Sequence, residues 1–211
     1  MENSSVIYLS GRVVDDQRIG VMLSYNANHT SKNMLKPYHT FAVDNGCFSQ
    51  PAKYTNTGFL TWLDTLNRKC LFATAPDVVG DADKTLERSL PVLAEIRKLG
   101  YSAGYVGQDG AKKTGLPWDK FDCFFVGGTT AWKMSQVAAN LIIEAKQRGK
   151  WVHVGRVNSY KRMRIVDFFG ADSCDGTHLT FGPNNKINDI HRWLDQVEQQ
   201  PNLNLLRGHN G

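Results

Sequence analysis

Apolar residues along the chain gather into eight short runs that are continuous rather than alternating with polar positions. They are VIYLS (6–10), VMLSY (21–25), FAVDNG (41–46), LFATAP (71–76), SAGYVGQ (102–108), CFFVGG (123–128), WVHVGR (151–156) and ADSCDG (171–176). Unbroken apolar runs of this length belong to strands covered on both faces, as in a parallel sheet sheathed by helices. Helical periodicity fills the later gaps. Residues 83–99 place Leu86, Leu90, Leu93, Ile96 and Leu99 on one stripe, with a kink expected at Pro91. Residues 131–148 do the same with Met134, Val137, Ala138, Leu141, Ile142 and Ala145, and residues 159–169 with Met163, Val166 and Phe169. Each pattern runs into a glycine (Gly100, Gly149, Gly170), the expected left-handed helix cap, and the next strand follows within a few residues.

Eight is the number of strands that closes a (β/α)8 barrel. The expected fold is therefore α/β, a compact (β/α)8 TIM-type barrel, with a doubly wound open sheet as the alternative. Residues 1–200 are read as one barrel domain and residues 201–211 as a flexible tail. The polar segment 25–40 lacks a helical stripe and is expected to loop over the barrel mouth.

Composition leaves this picture in place. Hydrophobic residues make up 41% and charged residues 21%, ordinary for a globular domain. MENSSVIYLS carries no basic region followed by a long apolar run, so no signal peptide is expected. No stretch reaches the length of a membrane span, and a cytoplasmic location is expected, the host cytoplasm if the chain is phage-encoded. The cysteines form no CxxC pair; Cys70, Cys123 and Cys174 fall in or beside apolar runs and read as buried thiols, and a structural zinc is not expected. The net charge of +5 suits an anionic partner such as nucleic acid.

Active sites of such barrels lie at the C-terminal ends of the strands. Those ends carry Asp44 and Asn45, Asp77, Gln108 and Asp109, Gly127-Gly128-Thr129, Arg156, and Asp175. A single aspartate there reads equally well as a helix cap or turn; three converging on one mouth read as chemistry. They could ligate a divalent metal, or divide into nucleophile, base and substrate reader. Neither a GxxxxGKS nor a GxGxxG loop is present, which argues against nucleoside-triphosphate and dinucleotide enzymes. A glycine pair such as Gly127-Gly128 lets a flat ligand approach the backbone, or simply turns the chain tightly.

Taken in order, these strand ends resemble the tRNA-guanine transglycosylase superfamily, and most of all the minimal, phage-type DNA-guanine transglycosylases of 7-deazaguanine DNA-modification systems. VDNGCF (43–48) looks like the family's DSGGF segment, and APDVVGD (75–81) like the segment whose aspartate reads the base. YVGQDGA (105–111) is similar to the VQGG strand end and FVGGTT (125–130) to the LGG segment. HVGRVNSYKRMRIVDFFGADSCDGT (153–177) resembles the stretch from GVG to GxDxFD. The match covers about residues 41 to 177. Three features depart from the pattern: the CxCxxC zinc subdomain of the tRNA enzymes is absent, GTHLTFGPN (176–184) replaces the PTR-type segment, and DSGGF reads DNGCF.

The resemblance implies exchange of a guanine in a polynucleotide for a free 7-deazaguanine base such as 7-cyano-7-deazaguanine. It places the nucleophile at Asp175, the general base at Asp44, and substrate contacts at Asp77, Gln108, Gly127, Gly128 and Thr129. It implies no cofactor and no metal. The missing parts favour DNA over tRNA. Phosphate contacts are expected from Arg156, Lys161, Arg162 and Arg164, and Phe48 or Tyr105 could stack on the base if not spent in the core. The same reaction on tRNA, a metal-dependent barrel lyase or hydrolase using the same aspartates, and a binding module that has lost activity are the alternatives.

Overall fold

A computed structural model describes residues 6–27, 32–49, 51–180 and 183–199. Eight strands, all parallel to their neighbours, close into a barrel: β1 (Ile7–Ser10), β2 (Gly20–Ser24), β3 (Phe41–Asp44), β4 (Ala73–Thr74), β5 (Ala103–Gly107), β6 (Cys123–Val126), β7 (Trp151–Val154) and β8 (Ser173–Gly176). Closure is made by β1 on β8, with Ile7 opposite Ser173 and Ser10 opposite Gly176. The open-sheet alternative is thereby excluded.

Successive side chains of a strand point to opposite faces, so each strand divides its residues between the lumen and the helical shell. Leu9, Met22, Ala42, Phe72 and Cys123 form a small inner cluster with Phe125 and Trp151 packed on it. The larger cluster, from Tyr8 and Val21 through Phe124 to Val154, lies between sheet and helices. Each large apolar side chain buried there contributes roughly 1.5–3 kcal/mol. The lumen is thus plugged at its base mostly by apolar rings, and most of the polar groups stand at the strand ends above the plug.

The shell comprises α1 (Asn56–Asp64), α2 (Ala82–Lys98), α3 (Ala111–Thr114), α4 (Thr130–Lys133), α5 (Gln136–Gln147), α6 (Tyr160–Phe168) and α7 (Pro183–Glu198). Gly100, Gly149 and Gly170 have φ of +83°, +68° and +87°, the left-handed caps expected. Other expectations are corrected. On α2, which contains Pro91, Leu90 is exposed; the inward place beside it belongs to Ser89, whose hydroxyl donates to Pro76 O at 2.7 Å. The single helix expected over 131–148 is two, because Ser135 leaves helical geometry and its side chain caps α5 by accepting from Ala138 N. Among the cysteines, Cys70 is only half-buried whereas Cys47 is buried.

No α-helix separates β1 from β2, and the only helical turn described between β2 and β3 is at Lys32–Met34. Where that latter segment starts, Ala27 lines the mouth; its return is tied down by the Arg68 guanidinium, which donates to the carbonyls of Lys36, Pro37 and His39. α7 covers the bare β1–β2 side, where Arg18 pairs with Asp195 at 2.8 Å and His191 with Asp16 at 2.8 Å. The tail 201–211 lies outside the described residues. No described helix is long and apolar enough to cross a membrane.

Candidate active site

A cavity of about 310 Å³ opens at the C-terminal ends of the strands, at the lower end of the range for small-molecule sites. Asp44, Asp77, Gln108, Gly127, Gly128, Arg156 and Asp175 all line it. Because the strands run in sequence order round the barrel, these groups form a circuit: Asp44 at the end of β3, Asp77 after β4, Gln108 after β5, the glycines after β6, Arg156 after β7, and Asp175 on β8.

Asp175 is braced from below. Its Oδ1 accepts the Arg156 N–H at 2.7 Å, and its Oδ2 lies 3.4 Å from His153 Nε2. His153 is fully buried on β7, its ring against Phe72 and Phe125. Ser173 Oγ lies 2.8 Å from His153 Nδ1 and accepts the Trp151 indole N–H at 2.9 Å. An indole only donates, so the serine hydroxyl still has its own proton to offer Nδ1, and in that tautomer the Nε2–H points at Asp175. Burial pushes the Asp175 carboxyl up, but hydrogen bonds from His153 and the Arg156 N–H, together with the Lys133 ammonium, outweigh it, and the group ends below the ordinary carboxylate value.

Arg156 reaches this position with φ of +61°, a left-handed conformation uncommon for a residue with a side chain. Such strain clusters at functional sites; here it delivers the backbone N–H to the carboxylate. The guanidinium turns outward over the Phe48 ring, 5.3 Å from its centroid. Phe48 is 64% exposed and lines the cavity, so it is a mouth residue and no part of the core, whereas Tyr105 is buried and stacks on Phe121.

Asp44 has the opposite balance. Burial, reinforced by the charges of Asp77 and Asp175, raises it from 3.8 to about 6, against hydrogen bonds from Ser24 Oγ (3.2 Å) and the Gly46 N–H. Gly46 turns the chain beneath it with φ of +73°, and a Cβ there would lie 2.3 Å from Tyr25 O. Neighbouring Asn45 points away from the cavity and bolts β3 to β4, its amide donating to Thr74 Oγ1 and Ala75 O at 3.0 Å each. Asp77 is also raised, by burial. Its Oδ2 accepts from Gln108 Nε2 at 2.7 Å, while Gln108 Oε1 accepts the Gly80 N–H at 3.0 Å, which fixes the amide's orientation. The cavity therefore presents a carboxylate beside an amide donor, an edge suited to a planar heterocycle with adjacent donors and an acceptor.

Thr129 and Asp109 do not line this cavity. Thr129 caps α4, accepting from Trp132 N, and donates its hydroxyl to Asp109 Oδ1 at 2.7 Å, so the two clamp the β5 and β6 loops together. Lys161, Arg162 and Arg164 lie on α6 beside the mouth and do not line the cavity. Sequence reasoning passed over two residues. His153 sits in an apolar run, where a lone histidine reads as core. Lys133 lines the cavity at 3% exposure, donating to Gly155 O at 2.8 Å. The helical spacing gave no sign of it, because Lys133 belongs to α4 while Val137 and Leu141 belong to α5.

No family model and no curated protein matches the chain. The likenesses found are to solved barrels: a structure from Aquifex aeolicus VF5 (18% identity, TM-score 0.48, 77% of this chain and 62% of that one), a tryptophan synthase from M. tuberculosis (14%, 0.47, 76% and 61%) and a mutant tryptophan synthase alpha-subunit from Pyrococcus furiosus (12%, 0.47, 75% and 64%). The chain spans less than two thirds of the length of each. At these identities and scores the likenesses carry nothing about substrate or reaction. Among the described residues, no three His, Cys, Asp or Glu side chains are grouped so as to hold a metal ion.

Proposed function

We propose that the protein is a base-exchange glycosyltransferase that replaces guanine in a polynucleotide, DNA in preference to tRNA, with a free 7-deazaguanine base. One observation carries the reading: two carboxylates of a single cavity are driven apart in proton affinity, Asp175 downward and Asp44 up to about 6. Such divergence marks a division of labour between nucleophile and acid–base.

In the first step an Asp175 oxygen attacks the sugar C1′. The C1′–N9 bond breaks, and the departing guanine takes up a proton at N9 from protonated Asp44. An ester between Asp175 and C1′ remains. In the second step the incoming base gives its N9 proton to Asp44 and attacks C1′, and the C1′–O bond to Asp175 breaks. Protons and bonds balance, and splitting one displacement into two is the gain of covalent catalysis. A group titrating near 6 can serve in both directions close to neutral pH. Asp77 accepts from the N1–H and exocyclic amine of the guanine edge, and the free N–H of Gln108 with the Gly128 backbone meets O6. An adenine would leave these buried partners unmatched, at a cost of roughly 1–3 kcal/mol for each. The target base must leave the stack to enter, with exposed Phe48 offering it a ring face and Arg156, Lys161, Arg162 and Arg164 the phosphate contacts.

The test is incubation with labelled guanine and duplex DNA, single-stranded DNA or tRNA, followed by mass spectrometry of digests from cells supplied with 7-cyano-7-deazaguanine. Label entering DNA and modified deoxynucleosides support the reading; modified tRNA alone overturns the choice of DNA. Asp175→Asn should abolish both exchange and the covalent adduct, and an active variant removes Asp175 from the nucleophile role.

A further inference from the structure

Lys133 is a buried charged residue lining the cavity that, beyond lowering the proton affinity of Asp175, takes no part in the two steps. Its ammonium carries three N–H donors, of which Gly155 O takes one. No salt bridge to it exists among the described residues, although the charges of Asp175 and Asp109 reach it. A buried ammonium without an ion pair is costly to keep. Burial is the main cause that pulls its proton affinity down, to about 8, so it remains mostly charged at neutral pH. The backbone around it is stripped bare: a Cβ on Gly127 would come within 2.6 Å of Val106 and one on Gly155 within 2.8 Å of Phe125. Beside the apolar Val106 and Phe125, the amine is the polar side chain that this stretch of wall offers a ligand.

The circuit of groups round the mouth identifies what that amine meets. Travelling round a guanine-type ring from its N1 edge, one passes O6, then position 7, then N9. Travelling round the mouth from Asp77, one passes Gln108 and Gly128, then the wall between β6 and β7, then Asp175. With Asp77 at N1, Gln108 at O6 and Asp175 beside N9, position 7 falls on Lys133. We infer that Lys133 is a charge filter for the 7-substituent, admitting hydrogen-bond acceptors such as a nitrile or carbonyl and rejecting cationic aminomethyl groups. The inference rests on the base-exchange reading. It is not implied by the cavity's overall charge: three aspartates would by themselves welcome a cation.

Binding of three free bases, guanine, 7-cyano-7-deazaguanine and 7-aminomethyl-7-deazaguanine, to the intact protein by calorimetry tests it, with Lys133→Met and Lys133→Glu alongside. The wild type should bind the aminomethyl base at least about tenfold more weakly than the cyano base. That ratio should fall to within about threefold in Lys133→Met and invert in Lys133→Glu, with guanine affinity changed far less. A purely structural lysine would instead weaken all three bases together. Retained guanine binding with an unchanged cyano-to-aminomethyl ratio in Lys133→Met overturns the filter alone. If guanine itself does not bind the wild type, the base-exchange reading falls and the filter with it.

Discussion

Replacing Asp44 by asparagine should make the protein more stable at neutral pH, because the fold resists ionising this side chain. Burial, followed by the charges of Asp77 and Asp175, raises the carboxyl from 3.8 to about 6. A carboxyl whose proton affinity is higher folded than unfolded destabilises the fold once it ionises. The penalty is absent below about pH 4 and complete above about pH 6. A gap of roughly two units at 1.36 kcal/mol each gives ~3 kcal/mol. Asp44 is only partly buried, and solvent screening reduces this to about 1–2 kcal/mol. In a domain of this size that corresponds to a rise in Tm of roughly 3–6 °C. Asp175→Asn should behave in the opposite way: its carboxyl lies below the ordinary value, so its charge stabilises the fold above the unfolded pKa near 4 and loses that effect as pH falls through the lower folded value. The assay is thermal melting of wild type and both variants at about pH 4 and pH 8. Asp44→Asn should raise Tm only at the higher pH, and Asp175→Asn should lower it there, with the deficit shrinking in acid. An Asp44→Asn shift of equal size at both pH values, or a loss at pH 8, would refute the electrostatic account.

Ser24→Ala removes the 3.2 Å hydrogen bond to Asp44 and should move the acid limb of the second step, in which Asp44 must start ionised, upward by about one unit; rates of base attack on the preformed covalent intermediate should show several-fold loss near pH 6 and little above pH 8. Trp151→Phe deletes the donor that commits Ser173 to His153. Carboxyl carbon NMR should then report Asp175 titrating higher, and an unmoved titration would break this chain of bonds. Arg156→Ala should weaken nucleic-acid binding and reduce the salt slope of the affinity by about 1, which titrations at several salt concentrations would measure.

The barrel was legible because parallel strands buried on both faces leave continuous apolar runs, and because Gly100, Gly149 and Gly170 mark where helices stop. The three aspartates were legible because strand order projects directly onto the mouth. What escaped was whatever one residue type does in two settings. Ser135 breaks a helix whose stripe continues across it through Met134 and Val137, and a serine within an apolar pattern is silent until its cap bond is seen. Thr129 follows the glycine pair, as a substrate contact would, yet spends its hydroxyl on a cap. Phe48 reads as a core residue or a stacking ring, and only its place in a turn shows it open. Lys133 and His153 were hidden for the converse reason. Burial of a polar group is a tertiary fact, and only the closed barrel shows the amine and the imidazole facing the same carboxylate.

The pairing of β1 with β8 and the docking of α7 beside the β1–β2 connection have a consequence for how the protein is made. Asp175 stands on the last strand, and its partners are contributed by the strand before it. The shell over β1 is finished only by a helix that ends near residue 198. A nascent chain emerging from the ribosome can build most of the wall in order, but these contacts join the first strand to residues 173–198 and must await them. Until then the first strand offers an unpaired edge, and the cavity lacks both its eighth side and the group on that side. Completion of the fold and arming of the site are thus a single late event, so a truncated product should be incompletely folded and inert rather than partly active.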